Sequence, residues 1–302
     1  MNRKELDSKT EHIQQILERF LPDRGGHTAR IEEAVCYSVR AGGKRLRPLL
    51  MEECFVMFGG DPDDKLLHAF MASIEMIHTY SLVHDDLPAM DDDAIRRGLP
   101  TTHIQYGEAF GVLAGDALLN LAYETPLAAM ETETDPERIR RSVAALSVLA
   151  KKAGIYGMVG GQCLDVYAEK TEGFETKEEE LLFIYQNKTA ALLEASMMVG
   201  GILAGAGREE VSQLEQIAGY VGLAFQIRDD ILDATGDTEV LGKPAGSDEK
   251  NGKTTYLTFK GLEQSEKDVE TYSEKAIELL KGLPAQNDFL KELILYLVDR
   301  EN

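Results

Sequence analysis

The sequence has no tryptophan, three cysteines and nine prolines in 302 residues. Cys36, Cys54 and Cys163 include no Cys-x-x-Cys pair, which argues against a disulfide framework or a thiolate metal site and fits a reducing cytoplasm. So little proline beside 43% hydrophobic residues argues against disorder. The first twenty residues are polar with scattered apolar positions, neither a secretory signal nor a membrane span. No run of 18 apolar residues follows, so a soluble protein is expected. Basic residues are scarce: 32 Lys and Arg against 53 Asp and Glu leave a net charge of −21. That excess disfavours a nucleic-acid partner. It would also repel an anionic substrate unless metal ions or local basic clusters intervene.

What the chain has is helical periodicity. Leu66, Phe70, Ile74 and Ile77 recur at near-helical spacing, and Leu181, Ile184, Leu192 and Leu193 do so more loosely. No strand alternation stands out. Connections are expected at Phe58–Pro62, Glu131–Glu137, Glu169–Glu180 and Gly236–Gly252. None resembles an inter-domain linker, and no solenoid repeat is present. The expectation is one all-α domain over residues 1–302.

Two acidic clusters carry the chemistry. His84-Asp85-Asp86-Leu87-Pro88-Ala89-Met90-Asp91-Asp92-Asp93 sets five carboxylates within nine residues at the end of an apolar helix. Charges so crowded raise one another's pKa unless solvated or neutralised by a cation, and oxygen-only ligands favour Mg²⁺ or Ca²⁺. Pro88 should end or bulge the helix and let Asp91 swing back toward Asp85. A solvated acidic loop is the alternative. In Gln226-Ile227-Arg228-Asp229-Asp230-Ile231-Leu232-Asp233, Asp229 and Asp233 share a helix face at i, i+4, with Arg228 the one nearby counterion. Two such helices facing each other across a bundle would cage several Mg²⁺ ions, with substrate phosphates completing the shells.

Basic residues appear where a diphosphate would need them. In Gly42-Gly43-Lys44-Arg45-Leu46-Arg47-Pro48, glycines open a helix and Lys44 and Arg47 share a face at i, i+3. Arg96-Arg97 follows the first acidic cluster, as phosphate forks or as counterions of Asp91–Asp93. Lys188-Thr189 and the glycine-bearing loops of Lys243 and Lys253 offer further cations.

Taken in order, these segments, with Ile74–Asp91 and Gly160-Gly161-Gln162-Cys163-Leu164-Asp165, resemble the short-chain trans-isoprenyl diphosphate synthases, and among them the bacterial farnesyl diphosphate synthases. The resemblance spans nearly the whole chain. It implies an antiparallel helical bundle around a deep central cavity, a homodimer, and Mg²⁺-dependent condensation of isopentenyl diphosphate with dimethylallyl or geranyl diphosphate. It also implies Asp85, Asp91 and Asp229 as metal ligands of catalytic weight, with Asp86 and Asp233 supporting. Lys44, Arg47, His78 and Arg97 would hold isopentenyl diphosphate. Arg96, Lys188, Thr189, Gln226, Lys243 and Lys253 would hold the allylic diphosphate, with Lys188 also catalytic. Independently, His78 lies two helical turns before Asp85 on the same face.

Product length is expected to depend on Tyr80, about 7.5 Å along the helix from Asp85, with small Ser81 more squarely under it. The resemblance implies a fifteen-carbon product, since in that family a bulky aromatic here goes with an extended first motif and that length; a twenty-carbon geranylgeranyl product is the alternative. A class I terpene cyclase would usually carry Asn, Ser and Glu in its second motif and would not need the Lys44/Arg47 site. A regulatory subunit would typically lose one aspartate motif, and both are intact.

Overall fold

The computed structural model describes residues 2–235 and 254–298. Two compact units are distinguished: Asn2–Leu146 with Ile202–Ala204, and Ser147–Gly201 with the chain from Gly205 onward.

The first unit contains α1 (Arg3–Glu18), α2 (Ala29–Arg40), α3 (Leu46–Met57), α4 (Lys65–Asp85), α5 (Thr102–Tyr106), α6 (Glu108–Glu131) and the first turns of α7 (Pro136–Ala153). Asp64 starts α4, its Oδ1 accepting the amides of Leu66 and Leu67 at 2.8 and 3.1 Å. α4 is apolar all round, as a fully enclosed helix must be: Phe70, Met71, Ile74 and Ile77 are wholly buried. It packs on α3 and α6. Within α6, Pro126 has no amide hydrogen to give to the carbonyl of Ala122. The hydroxyl of Ser73 on α4 donates to that carbonyl instead, so a gap in one helix is closed from its neighbour. Against the expectation of no strands, Ile95–Arg96 (β1) and Leu99–Pro100 (β2) form a minimal antiparallel hairpin.

The second unit contains α8 (Met158–Lys170), α9 (Glu178–Ile184), a π-helical turn (Tyr185–Ala190), α10 (Ala191–Ala204), α11 (Arg208–Thr235), α12 (Tyr256–Gly282) and α13 (Asp288–Val298). Its core gathers Leu181, Ile184, Tyr185, Leu223, Ile227, Ile231, Tyr256, Val269 and Val298. By length and mean hydropathy alone Pro136–Lys170 passes as a membrane span, although it contains no unbroken run of 18 apolar residues. A turn at residues 154–157 interrupts it, and Lys152 within it bonds Glu194 and, at 2.7 Å, Glu215.

Candidate active site

α4 stops at Asp85 because Leu87, preceding Pro88, is biased away from helical dihedrals. The chain then doubles back. The Asp91 amide donates to the Asp85 carbonyl at 2.9 Å, and the Asp92 amide, in a residue with φ +54°, to the Leu87 carbonyl at 3.2 Å. The loop thus returns Asp91 to the end of the helix despite the six-residue gap. Asp86 differs from its neighbours. It is 3% exposed, and Arg96 Nε donates to its Oδ1 at 2.6 Å while Arg96 Nη2 reaches Asp93 at 3.4 Å. Burial raises the Asp86 carboxyl above its usual range, with Arg96 opposing. In this structure Arg96 is therefore a carboxylate counterion that stiffens the acidic loop.

The expected Lys44/Arg47 helix face is corrected. Arg45 sits in the left-handed region at φ 49°, and α3 begins only at Leu46, so Lys44 lies outside the helix. That twist drives Arg45 inward, where its guanidinium bonds Glu75 at 2.6 Å, Gln14 at 2.8 and 3.1 Å and the Val39 carbonyl at 2.5 Å. Lys44 and Arg47 nonetheless line one recess with Gly43, Glu75, His78 and Arg97. Arg97 occupies the tight turn of the hairpin, at φ +54° before Gly98 at +77°, and its Nη1 donates to the Gly42 carbonyl. Gly43 must be glycine, because φ is +134° and a Cβ would lie 2.7 Å from the Arg97 guanidinium carbon.

The guanidinium groups of Arg45, Arg47 and Arg97 gather near the Glu75 carboxylate at this recess, and Arg45 takes the carboxylate directly. Burial pushes the Arg47 guanidinium down to about 10 against the pull of Glu75, and its buried Nε has no hydrogen-bond partner among the described residues. His78 is held well below its usual pKa by burial and by Arg47 and Arg97, so it is neutral at pH 7. Buried donors without acceptors are what a bound multivalent anion would satisfy. Farther up α4, Tyr80 is 6% exposed, its hydroxyl pushed up to about 12 by burial and its ring set edge-on to His84 at 5.8 Å. The Ser81 hydroxyl is turned back to the His78 carbonyl at 2.9 Å.

In the second unit, Asp229 and Asp233 lie one turn apart on α11, both partly exposed, while Asp230 between them is 5% exposed. Asp230 is structural: it accepts the Tyr185 hydroxyl and, at 2.7 Å, the Tyr256 amide that begins α12. Arg228, beside these acids, donates its Nε hydrogen to the Val298 carbonyl at 3.0 Å. Lys188 lies on the π-helical turn, a one-residue bulge of the kind that re-aims side chains at functional sites. Its ammonium meets Asp165 at 2.5 Å, and Thr189 donates to Gln226 at 2.9 Å. Glycines let this turn pack closely: a Cβ on Gly161 would strike the Lys188 amide, and one on Gly222 the Ala190 side chain. Asp165, Tyr185 and Asp230 received no role from the sequence. Asp165 did close the quoted Gly160–Asp165 motif, and that was its one signal. Lys243 and Lys253 lie outside the described residues.

Each acidic pair taken by itself fits a hard cation: Asp85 and Asp91 in the first unit, and Asp229 and Asp233 in the second, offer only carboxylate oxygens, which suit Mg²⁺ and would be a poor choice for zinc.

Likeness to known proteins agrees with this chemistry. The polyprenyl synthetase pattern matches residues 28–294. The chain is 42% identical over 301 residues to the farnesyl diphosphate synthase of Escherichia coli K12, covering 98% of each. It is 43% identical over 295 residues to a chloroplastic geranylgeranyl pyrophosphate synthase of Arabidopsis thaliana, covering 97% of this chain and 80% of that one. A geranyltransferase from Helicobacter pylori, solved with magnesium and isoprenyl diphosphate, superposes with a TM-score of 0.81 at 31% identity, over 98% of this chain and 96% of that one. Paired aspartate motifs in order, a likeness that runs end to end and an all-helical architecture place the chain in the polyprenyl synthetase family.

Proposed function

We propose that this chain condenses isopentenyl diphosphate with dimethylallyl and then geranyl diphosphate, releasing diphosphate and ending at the fifteen-carbon farnesyl diphosphate. The carrying observation is the cationic recess around Arg47, with its unsatisfied buried Nε, in a chain of net charge −21. Lys44, Arg47, Arg97 and neutral His78 hold isopentenyl diphosphate there. Arg96, Lys188, Thr189 and Gln226 hold the allylic diphosphate, with Asp165 keeping Lys188 in place; Lys243 and Lys253 join them on resemblance alone. Asp85, Asp91, Asp229 and Asp233, with Asp86 in support, would hold several Mg²⁺ ions, whose positive charge would oppose that of the departing diphosphate. The allylic C–O bond breaks, the isopentenyl double bond attacks the resulting cation, and a proton leaves to the released diphosphate. Cations fixed beforehand around the leaving group need no reorganisation as its charge develops. Tyr80 forms the floor that stops the growing chain.

The relative from Arabidopsis favours one second reading, a twenty-carbon product. Incubation with isopentenyl and dimethylallyl diphosphates and Mg²⁺, with and without chelator, followed by chain-length analysis, separates the two. Farnesyl product supports Tyr80 as floor, geranylgeranyl product removes it, and no condensation overturns the reading. Asp85→Asn and Asp229→Asn are each expected to lower turnover more than a hundredfold, about 3 kcal/mol of lost transition-state stabilisation, with an unchanged circular dichroism spectrum. We further read the whole chain as a single catalytic domain, working as a cytoplasmic homodimer. Exposed Val112, Leu113 and Leu127 on α6 give apolar surface for such pairing, and the three free cysteines fit a reducing compartment.

A further inference from the structure

A second cluster of metal-ligating side chains lies elsewhere in the first unit. His12 on α1, Asp63 in the connection before α4 and His68 in the first turn of α4 bring one ligand atom each within 4.8 Å of one another. The two rings meet edge to face, centroids 6.4 Å apart at 73°. His68 is 7% exposed, and its Nε2 lies 2.8 Å from the Pro62 carbonyl. A carbonyl only accepts, so Nε2 carries the hydrogen and Nδ1 keeps its lone pair. Holding the distal ring nitrogen on a backbone carbonyl is how ligating histidines are usually oriented. The neighbouring aspartates are used locally. Asp61 accepts the Asp63 amide at 3.1 Å, and Asp64 caps α4 and meets Arg138 at 2.7 Å. Asp63 is the carboxylate of this loop that approaches the histidines. Beside it, Glu52 is 3% exposed, its Oε2 lacks a hydrogen-bond partner among the described residues, and Asp63 adds to the negative charge around it.

We propose that His12, Asp63 and His68 bind one divalent transition-metal ion of the zinc class, which clamps α1 to the start of α4. Two imidazoles and one carboxylate are a zinc donor set and a poor one for Mg²⁺. A tetrahedral ion with bonds of about 2.05 Å needs ligand atoms about 3.3 Å apart, so the three side chains draw in slightly and leave a fourth position for water. The cation also relieves the crowding of Asp63 and Glu52. His68 precedes Asp85 by 17 residues on one helix, about 25 Å along its axis, so the ion acts on stability and not on the prenyl chemistry.

The test is Co²⁺ binding to the full chain in excess Mg²⁺, which occupies the carboxylate sites, followed by visible absorption and displacement with Zn²⁺. One equivalent of tetrahedral Co²⁺ is expected. His12→Ala and Asp63→Asn, both outside the buried core, should weaken it tenfold or more, while Asp85→Ala leaves it in place. Zn²⁺ should raise the Tm of the unmodified protein and leave that of the His12→Ala protein unmoved. Binding equal in the His12→Ala and unmodified proteins, or no Co²⁺ and no Zn²⁺ bound at micromolar concentrations, overturns the proposal.

Discussion

Arg47→Met should stabilise the protein while crippling its use of isopentenyl diphosphate. Burial lowers the Arg47 guanidinium from 12.5 to about 10. At 1.36 kcal/mol per tenfold change in acidity, the charged form costs the folded state about 3 kcal/mol. Solvent screening at the recess mouth cuts that to about 1–2 kcal/mol. The sign is fixed: a base with a depressed folded pKa carries this cost at every pH below about 10, and it fades only as pH rises further. Methionine keeps the unbranched stem of the side chain without its charge, and Glu75 is not orphaned because Arg45 bonds it at 2.6 Å. The Tm without ligand should rise by about 2–4 °C. Losing a charge-assisted hydrogen bond to a diphosphate, about 1.5–3 kcal/mol, should raise KM for isopentenyl diphosphate about 10- to 100-fold. Thermal unfolding and steady-state kinetics on one preparation measure both. A less stable variant with an unchanged KM would make Arg47 a structural partner of Glu75 and refute the anion site.

Other outcomes follow from the same structure. Burial, with Lys9 opposing, pushes the Glu52 carboxyl up to about 7 from 4.5. The folded state therefore keeps a proton that the unfolded chain gives up, and in chelator stability should fall by about 2–3 kcal/mol as pH rises from 4.5 to 7; Glu52→Gln should flatten that slope in urea titrations. Tyr80→Ala should lengthen the product to twenty carbons with less than a tenfold loss of total condensation, read by chromatography of dephosphorylated products. Gly222→Ala should cost about 1–3 kcal/mol in urea denaturation, because its Cβ would land on Ala190 in the turn that carries Lys188.

Much of this was legible in the sequence, and the illegible part has physical causes. The end of α4 could be read because Pro88 is local punctuation, and the burial of α4 because its apolar residues run all round. The fate of three adjacent bases could not. Lys44, Arg45 and Arg47 look alike in sequence, and the left-handed dihedral that buries Arg45 is held by Glu75 and Gln14, about thirty residues away on either side. The π-helical turn was equally hidden: a single extra residue leaves no period to detect, and the pairing of Lys188 with Asp165 spans 23 residues. Arg228, the one basic residue beside the acids of α11, bonds a backbone carbonyl at the end of α13, a partner no local pattern points to.

The Ser73–Ala122 contact ties two distant codons together. Ser73→Ala alone strands a buried carbonyl, while the same change beside Pro126→Ala is nearly silent, because the restored amide then takes the carbonyl within α6. Ser73 cannot drift while the proline stands, so a lineage that loses the proline frees the serine, and one that keeps it inherits both.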